Sequence, residues 1–103
     1  MIILNQNKDA VLNLRNIECI DIEEEIGENG RKNFEIYAHT LLRKEKLGEY
    51  STKERAKEII QQIWNQYSLE EIFKRTDADL QNKVSEKFVE AGKVLFTFKF
   101  PKE

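Results

Sequence analysis

The sequence predicts an α+β fold: an antiparallel sheet of about four to five strands, with one long helix and one or two further helices packed on one face. Three observations predict this class. Apolar and polar residues alternate through the first half, a helical apolar stripe follows a capping signal near residue 51, and an alternating aromatic segment lies near the C-terminal end. A chain of 103 residues can build one hydrophobic core, so we expect a single domain spanning residues 1–103.

The first half has the pattern of a meander of antiparallel strands. Residues 2–4 are apolar, and residues 10–14 form a second strand-like segment beyond a polar turn. In residues 17–26 isoleucines alternate with acids, which is the period of a half-buried strand. The change of phase at Cys19 and Ile20 indicates either a bulge or the true start of that strand.

A tight hairpin turn is predicted next. Asn29 and Gly30 suit the positive φ angles of such a turn, so residues 33–42 should run antiparallel to the preceding strand. After a charged turn, residues 46–50 supply a further strand of the meander.

A long helix is predicted to begin at Ser51. Ser51 and Glu54 have the spacing of a capping box, in which the hydroxyl and the carboxylate satisfy backbone amides of the first turn. The apolar residues that follow form one continuous stripe, which we expect to pack on the sheet. The stripe consists of Ala56, Ile59, Ile60, Ile63, Trp64 and Tyr67.

Residues 68–92 are predicted to be a helical insertion before the last strand. Ser68 and Glu71 repeat the capping spacing, so the segment either extends the long helix after a kink or begins a second helix. Further on, a narrow apolar stripe suits a partly exposed helix and is a candidate surface for self-association. This stripe consists of Leu80, Val84 and Phe88.

The aromatic segment near the end is the clearest strand pattern in the chain. Val94, Phe96, Phe98 and Phe100 share one face, and Pro101 ends the strand. We expect these side chains to face the helices as core rather than to form a stacking platform for nucleic-acid bases. The strand should complete the antiparallel sheet.

The charge pattern argues against nucleic-acid binding. The chain has 17 Lys and Arg against 19 Asp and Glu, a net charge of -2 and a mean hydropathy of -0.65. Basic residues occur only in short clusters, whereas binding to a phosphate backbone needs a clustered basic surface. The composition is that of a soluble globular protein.

The expected location is cytoplasmic. Cys19 is the only cysteine, which excludes an intrachain disulfide and favours a reducing compartment. The first residues lack the pattern of a signal peptide, and no apolar run is long enough to span a bilayer. We therefore expect no membrane partner.

The sequence offers little for catalysis. His39 is the only histidine, and neither paired-histidine nor paired-cysteine metal spacing occurs. The four glycines form no phosphate-binding loop, and the adjacent acids point to different sides of their elements. We expect no catalytic residues, no metal and no cofactor. The protein is therefore not expected to be an enzyme. A pair of Cys19 and His39 across the hairpin is the alternative that tertiary folding could create.

Four parts of the chain resemble a known group of proteins. They are ILNQNKDAVLNLRNIECIDI, FEIYA, LGEYSTKERAKEIIQQI and the aromatic end before Pro101. They are similar to small uncharacterised proteins of Gram-positive bacteria and their phages or prophages. Residues 68–92 depart from the pattern of that group. The resemblance implies the fold and a phage or prophage context, and it brings no catalytic residues.

These features together predict a non-enzymatic accessory protein that docks on another protein, with a host defence or regulatory protein as the expected partner. The candidate interaction surface comprises Tyr37, His39 and Leu41, because sheet strands and their edges pair readily with partners. The alternatives are a self-assembling homodimer and a small-ligand binder.

Overall fold

The computed structural model describes residues 1–75 and 97–103 of the chain. It confirms the α+β class, with six strands and one helix in these residues. In chain order the elements are β1 (Ile2–Leu4), β2 (Val11–Asn13), β3 (Cys19–Ile26), β4 (Lys32–His39), β5 (Lys44–Tyr50), α1 (Lys53–Arg75) and β6 (Thr97–Lys99). A single 3₁₀ turn, Leu14–Asn16, follows β2.

The strands form two three-stranded sheets, so the prediction of one antiparallel sheet of four to five strands is not confirmed. The sheet β3-β4-β5 is the predicted antiparallel meander. In the other sheet, β1 pairs antiparallel with β2 and parallel with β6. Ile3 and Phe98 are partners in the parallel pair and both are buried. The last strand thus buries its aromatic face beside the first strand instead of extending the meander.

The β3–β4 hairpin follows the turn chemistry of the sequence. Gly30 adopts a φ of 77°, the left-handed conformation that glycine accepts without steric cost. Eight residue pairs follow in register from the turn, ending with Cys19 opposite His39. β3 therefore begins at Cys19, which resolves the change of phase in the sequence. The bulge of this sheet lies in β5 instead, where Leu47 is the extra residue between the partners of Ile36 and Tyr37.

One hydrophobic core joins both sheets to the helix. Ile36 and Ala38 of β4 are fully buried, as is Ile59 of α1. Ile3 and Phe98 bring the second sheet into the same core. The remaining buried apolar residues are Met1, Leu12, Leu47, Tyr50, Ala56, Ile63 and Phe100.

The helix cap differs from the predicted one. α1 begins at Lys53, and the amide of Arg55 donates to the hydroxyl of Thr52 at 3.2 Å. Thr52 is therefore the capping residue, and the capping box of Ser51 and Glu54 is wrong by one residue. Ser51 and Thr52 both carry a hydroxyl that can cap a helix, so the sequence pattern alone does not choose between them. The helix begins at the residue from which Ala56 and Ile59 are buried in the core.

The apolar stripe of α1 is confirmed apart from Trp64, which is 60% exposed. Trp64 lies at the margin of the stripe, where its ring is 6.1 Å from the ring of Tyr67. α1 continues to Arg75, so the capping spacing at Ser68 extends the long helix and begins no second one there.

Several predictions lie outside the described residues. They are the further helix within residues 76–91, the stripe Leu80, Val84 and Phe88, and the strand positions Val94 and Phe96. Within the described ranges, Phe98 and Phe100 are buried as predicted. The helix in this part of the chain is too polar and too charged to cross a membrane.

Candidate functional site

The outer face of the sheet β3-β4-β5, opposite the core, carries polar and charged side chains. Lys44 of β5 lies 2.5 Å from the carboxylate of Glu23 on β3 and 4.1 Å from the centre of the Tyr37 ring on β4. These contacts tie all three strands together across the solvent side. Lys44 and Glu23 are partly exposed on this face, whereas Glu35 at its centre is buried.

Glu35 is the buried acid of the outer face. Only 6% of the residue is exposed, and the Tyr37 hydroxyl donates a hydrogen bond to its carboxylate. Lys46 lies 3.1 Å from the other oxygen. The hydrogen bond from Tyr37 holds the pKa of Glu35 below its ordinary value of 4.5, against the opposite effect of burial and with the help of Lys46. The same hydrogen bond, with burial, raises the pKa of Tyr37 to about 12.

A second cluster lies at the far end of the same face. Cys19 and Asp21 project from β3, and His39 is the cross-strand partner of Cys19 on β4. One ligand atom from each residue lies within 4.8 Å of the other two. His39 Nε2 is 3.0 Å from Asp21 Oδ2, yet the approach does not have the angle of a hydrogen bond. The hairpin therefore brings the imidazole of His39 to a thiol and a carboxylate that lie 20 and 18 residues earlier in the sequence.

A groove of about 800 Å³ lies between β2 with its 3₁₀ turn and the β4–β5 turn. All three residues of β2 line it, and β2 is at the edge of its sheet. Val11 of β2 is 65% exposed. The opposite wall consists of the β4–β5 turn with Leu41 and Leu42. Among the described residues, no strand pairs with the outer edge of β2, so an extended segment could lie along it and meet apolar side chains across the groove.

Leu41 and Leu42 are the most exposed large apolar residues of the described chain, at 87% and 95%. They occupy the two central positions of the turn between Thr40 and Arg43. The Thr40 amide donates to the Arg43 carbonyl at 2.9 Å, and the Arg43 amide donates to the Thr40 hydroxyl at 3.1 Å. The backbone of the turn is therefore held by Thr40, independently of either leucine.

Two arginines lie along the groove. Arg43 pairs with Glu45 at 3.3 Å. Within residues 1–75 and 97–103, no acid lies at ion-pair distance from Arg15, which also lines the groove. Among the lining residues that the structure describes, Glu18 is the only acid. The groove thus combines apolar walls with one unpaired cation among the described residues.

The structure divides the predicted interaction surface into two places. Tyr37 and His39 lie two residues apart on the outer face of β4. Leu41 lies beyond the end of β4 and lines the groove together with Leu42. Sequence reasoning did not single out Leu42 or Val11, although a Leu-Leu pair in a charged turn is itself an unusual signal, because turns favour Gly, Asn, Asp and Ser.

The chain matches no protein-family model, no curated protein and no solved structure. The groove and the outer-face clusters are therefore interpreted from their geometry alone.

Proposed function

We propose that the chain is a non-enzymatic binding protein that docks an extended, apolar peptide segment with a flanking acidic residue in the groove. The observation that carries this proposal is the near-complete exposure of Leu41 and Leu42 at a turn whose backbone needs neither of them. Apolar side chains that cluster around a groove, in contrast to scattered ones, mark interaction sites.

The chemistry of the occupant follows from the lining. β2, a three-residue strand at the edge of its sheet in the described part of the chain, offers that edge to an extended backbone. Leu41 and Leu42 offer contacts to apolar side chains, and Arg15 offers a charge-assisted hydrogen bond to a carboxylate. A partner segment with alternating apolar residues and one Asp or Glu satisfies all three features.

The biological setting is part of the same proposal. The resemblance of the chain to small proteins of Gram-positive bacteria and their phages supports an accessory protein of a phage or prophage that acts in the cytoplasm. A host defence or regulatory protein is then the proposed owner of the docked segment. Tyr37 and His39, on the outer face, remain a proposed secondary contact.

Self-association is the second proposal. A homodimer through Leu80, Val84 and Phe88 is tested by sedimentation of the wild type beside a Leu80→Glu, Val84→Glu variant. A concentration-dependent dimer that the variant abolishes supports this proposal, and a monomer at all concentrations contradicts it. A small ligand in the groove, the third alternative, would bind without any requirement for an extended backbone.

Selection from a random peptide library displayed on phage tests the docking proposal. The full chain is the bait, and a Leu41→Ser, Leu42→Ser variant is used for a parallel selection. We expect the wild type to enrich peptides in which apolar residues flank an Asp or Glu, and the variant to enrich none of them. Equal enrichment on both baits, or no enrichment on the wild type, would contradict the proposal.

The matched control is Ile26→Ser. Ile26 is 67% exposed and ends β3 at the opposite end of the hairpin from the β4–β5 turn. The substitution removes an exposed branched apolar side chain away from the groove. It should retain the wild-type peptides, because loss of exposed apolar area alone does not explain docking at a defined site.

A further inference from the structure

Three side chains with metal-binding atoms meet on the outer face of the β3–β4 hairpin. We propose that Cys19, Asp21 and His39 form a binding site for a divalent transition-metal ion of the zinc type. The proposal is independent of peptide docking in the groove. It departs from the sequence expectation of no metal, which rested on the absence of a local ligand spacing.

The register of the hairpin sets the geometry. Cys19 and His39 face each other as cross-strand partners, and Asp21 follows Cys19 at a spacing of two, on the same face of β3. Directly opposed side chains in an antiparallel pair have Cβ atoms about 4.5–5.5 Å apart. The ligand atoms are therefore positioned by two paired strands rather than by loops, which favours a defined site.

The donor set suits zinc. Thiolate sulfur, imidazole nitrogen and carboxylate oxygen are the three ligand types of protein zinc sites. Three protein ligands leave an open position for water or a further ligand, as in sites that are not purely structural. Sulfur also favours such borderline ions over Mg²⁺ and Ca²⁺, which prefer oxygen ligands alone.

The separations of the three ligand atoms need only a small adjustment to fit a zinc ion. Zinc–ligand bonds of about 2.0–2.3 Å place the ligands of a tetrahedral site about 3–4 Å apart. His39 Nε2 and Asp21 Oδ2 are already separated by 3.0 Å, and all three ligand atoms lie within 4.8 Å. Cys19 and Asp21 are exposed, so rotation of their side chains can close the remaining gap without disturbing the core.

His39 Nε2 supplies a second observation. The atom is buried and has no hydrogen-bond partner in the described residues, although the Asp21 carboxylate is in contact with it. Buried polar atoms are normally satisfied, and a metal ion coordinated by both atoms would satisfy the nitrogen directly. An ion pair of His39 and Asp21 alone would leave Cys19 without a part in the site. The role of Cys19 therefore separates a metal site from a surface ion pair.

Titration of the full, tag-free, reduced chain with Co²⁺, followed by competition with Zn²⁺, tests the proposal. Cys19 and His39 are the only cysteine and histidine in the chain, so a sulfur-to-cobalt charge-transfer band reports on Cys19 alone. We expect this band to appear and to saturate at one Co²⁺ per chain, and Zn²⁺ to remove it. Native mass spectrometry should show one chain with one metal ion.

Single variants identify the ligands. Cys19→Ser should abolish the charge-transfer band, and His39→Gln and Asp21→Asn should each weaken Zn²⁺ binding at least about tenfold, the loss that even an outer-shell partner causes. Glu18→Gln, which changes a neighbouring exposed acid outside the cluster, should bind as the wild type does. Circular dichroism of each variant checks folding, and Zn²⁺ should raise the unfolding temperature of the wild type and not that of Cys19→Ser.

Three results would overturn the site. They are the absence of a charge-transfer band, Zn²⁺ affinity unchanged by both His39→Gln and Asp21→Asn, and a complex of two chains with one ion. The last result would show that ligands from two chains, and not the three side chains of one hairpin, hold the ion.

Discussion

The side-chain amide of Gln6 pairs with both backbone polar groups of Glu49. Gln6 Oε1 accepts from the Glu49 amide at 2.9 Å, and Gln6 Nε2 donates to the Glu49 carbonyl at 3.2 Å. The Gln6 backbone amide also donates to the Leu47 carbonyl at 2.7 Å. Gln6 therefore satisfies the outer edge of β5 in the manner of a neighbouring strand, and it joins the two sheets.

The same amide reaches the C-terminal segment. Gln6 Nε2 lies 3.1 Å from the Pro101 carbonyl and 2.7 Å from the Lys102 carbonyl. The Tyr50 hydroxyl donates to the Pro101 carbonyl at 2.6 Å. Gln6, residues 47–50 and the segment around Pro101 thus meet in one place. The hydrogen bonds between these segments have a structural role.

Replacement of Gln6 should destabilise the fold. Gln6→Ala leaves the Glu49 amide and carbonyl without this partner, and we expect the free energy of unfolding to fall by about 1–3 kcal/mol. Gln6→Glu should cost at least as much, because a carboxylate would face three carbonyl oxygens. Urea denaturation measures both, and Asn7→Ala, an exposed neighbour, should match the wild type. A wild-type midpoint for Gln6→Ala would contradict this role.

The corrected helix cap makes a sharp prediction. Thr52→Ala removes the hydroxyl that accepts from the Arg55 amide and should lower the free energy of unfolding by about 0.5–2 kcal/mol. Ser51→Ala, one residue earlier, should have little effect. Thermal unfolding of the two variants side by side decides between the caps. A larger loss for Ser51→Ala would restore the cap that the sequence pattern suggested.

Gly48 is required by packing. A Cβ atom there would lie 2.9 Å from Tyr50 Cε2, closer than such atoms approach, and 3.0 Å from Phe100 Cδ2, a tight contact. Both rings belong to the core, so Gly48→Ala should destabilise the protein by about 1–3 kcal/mol. Gly27→Ala is the matched control, since its nearest contact would be an ordinary 3.4 Å. Equal denaturation midpoints for the two variants would contradict the prediction.

Glu35 should make stability depend on acid pH. Its pKa is lowered in the folded state, chiefly by the Tyr37 hydrogen bond, so its contribution is present above the ordinary pKa of 4.5 and is lost as the pH falls through the folded-state pKa. Through that window the unfolded chain binds more protons, and stability therefore rises with pH. Glu35→Gln and Tyr37→Phe should each flatten this rise, measured by urea denaturation at a series of acidic pH values. A wild-type slope in Glu35→Gln would contradict the assignment.

Local structure was largely predictable from the sequence, because it depends on neighbouring residues. The alternation of residues 17–26, the Asn29-Gly30 turn and the stripe from Ala56 to Ile63 each specify an element directly. The pairing of β6 with β1 is a long-range choice that alternation does not encode. The alternation of apolar and polar residues identifies the buried face of a strand. It does not identify the neighbouring strand in the sheet.

The candidate sites also include features that depend on neighbouring residues and features that depend on the tertiary fold. The turn at Asn29 fixes the hairpin register, so the meeting of Cys19 with His39, which the sequence already offers as an alternative, follows from counting outward from that turn. The burial of Glu35 does not follow in this way, because it depends on the Lys46 and Tyr37 side chains that cover it. The groove lies between β2 and the β4–β5 turn, and only the tertiary fold determines how these parts of the two sheets are placed.

The central claim is docking at the groove beside Leu41 and Leu42. Its most direct test is a fluorescence-polarisation titration of a peptide enriched on the wild type against the wild type, Leu41→Ser with Leu42→Ser, and Ile26→Ser. We predict affinity at least about tenfold weaker for the double variant, equivalent to about 1.4 kcal/mol, and unchanged affinity for Ile26→Ser. Equal affinity of the wild type and the double variant would show that the groove is not the docking site.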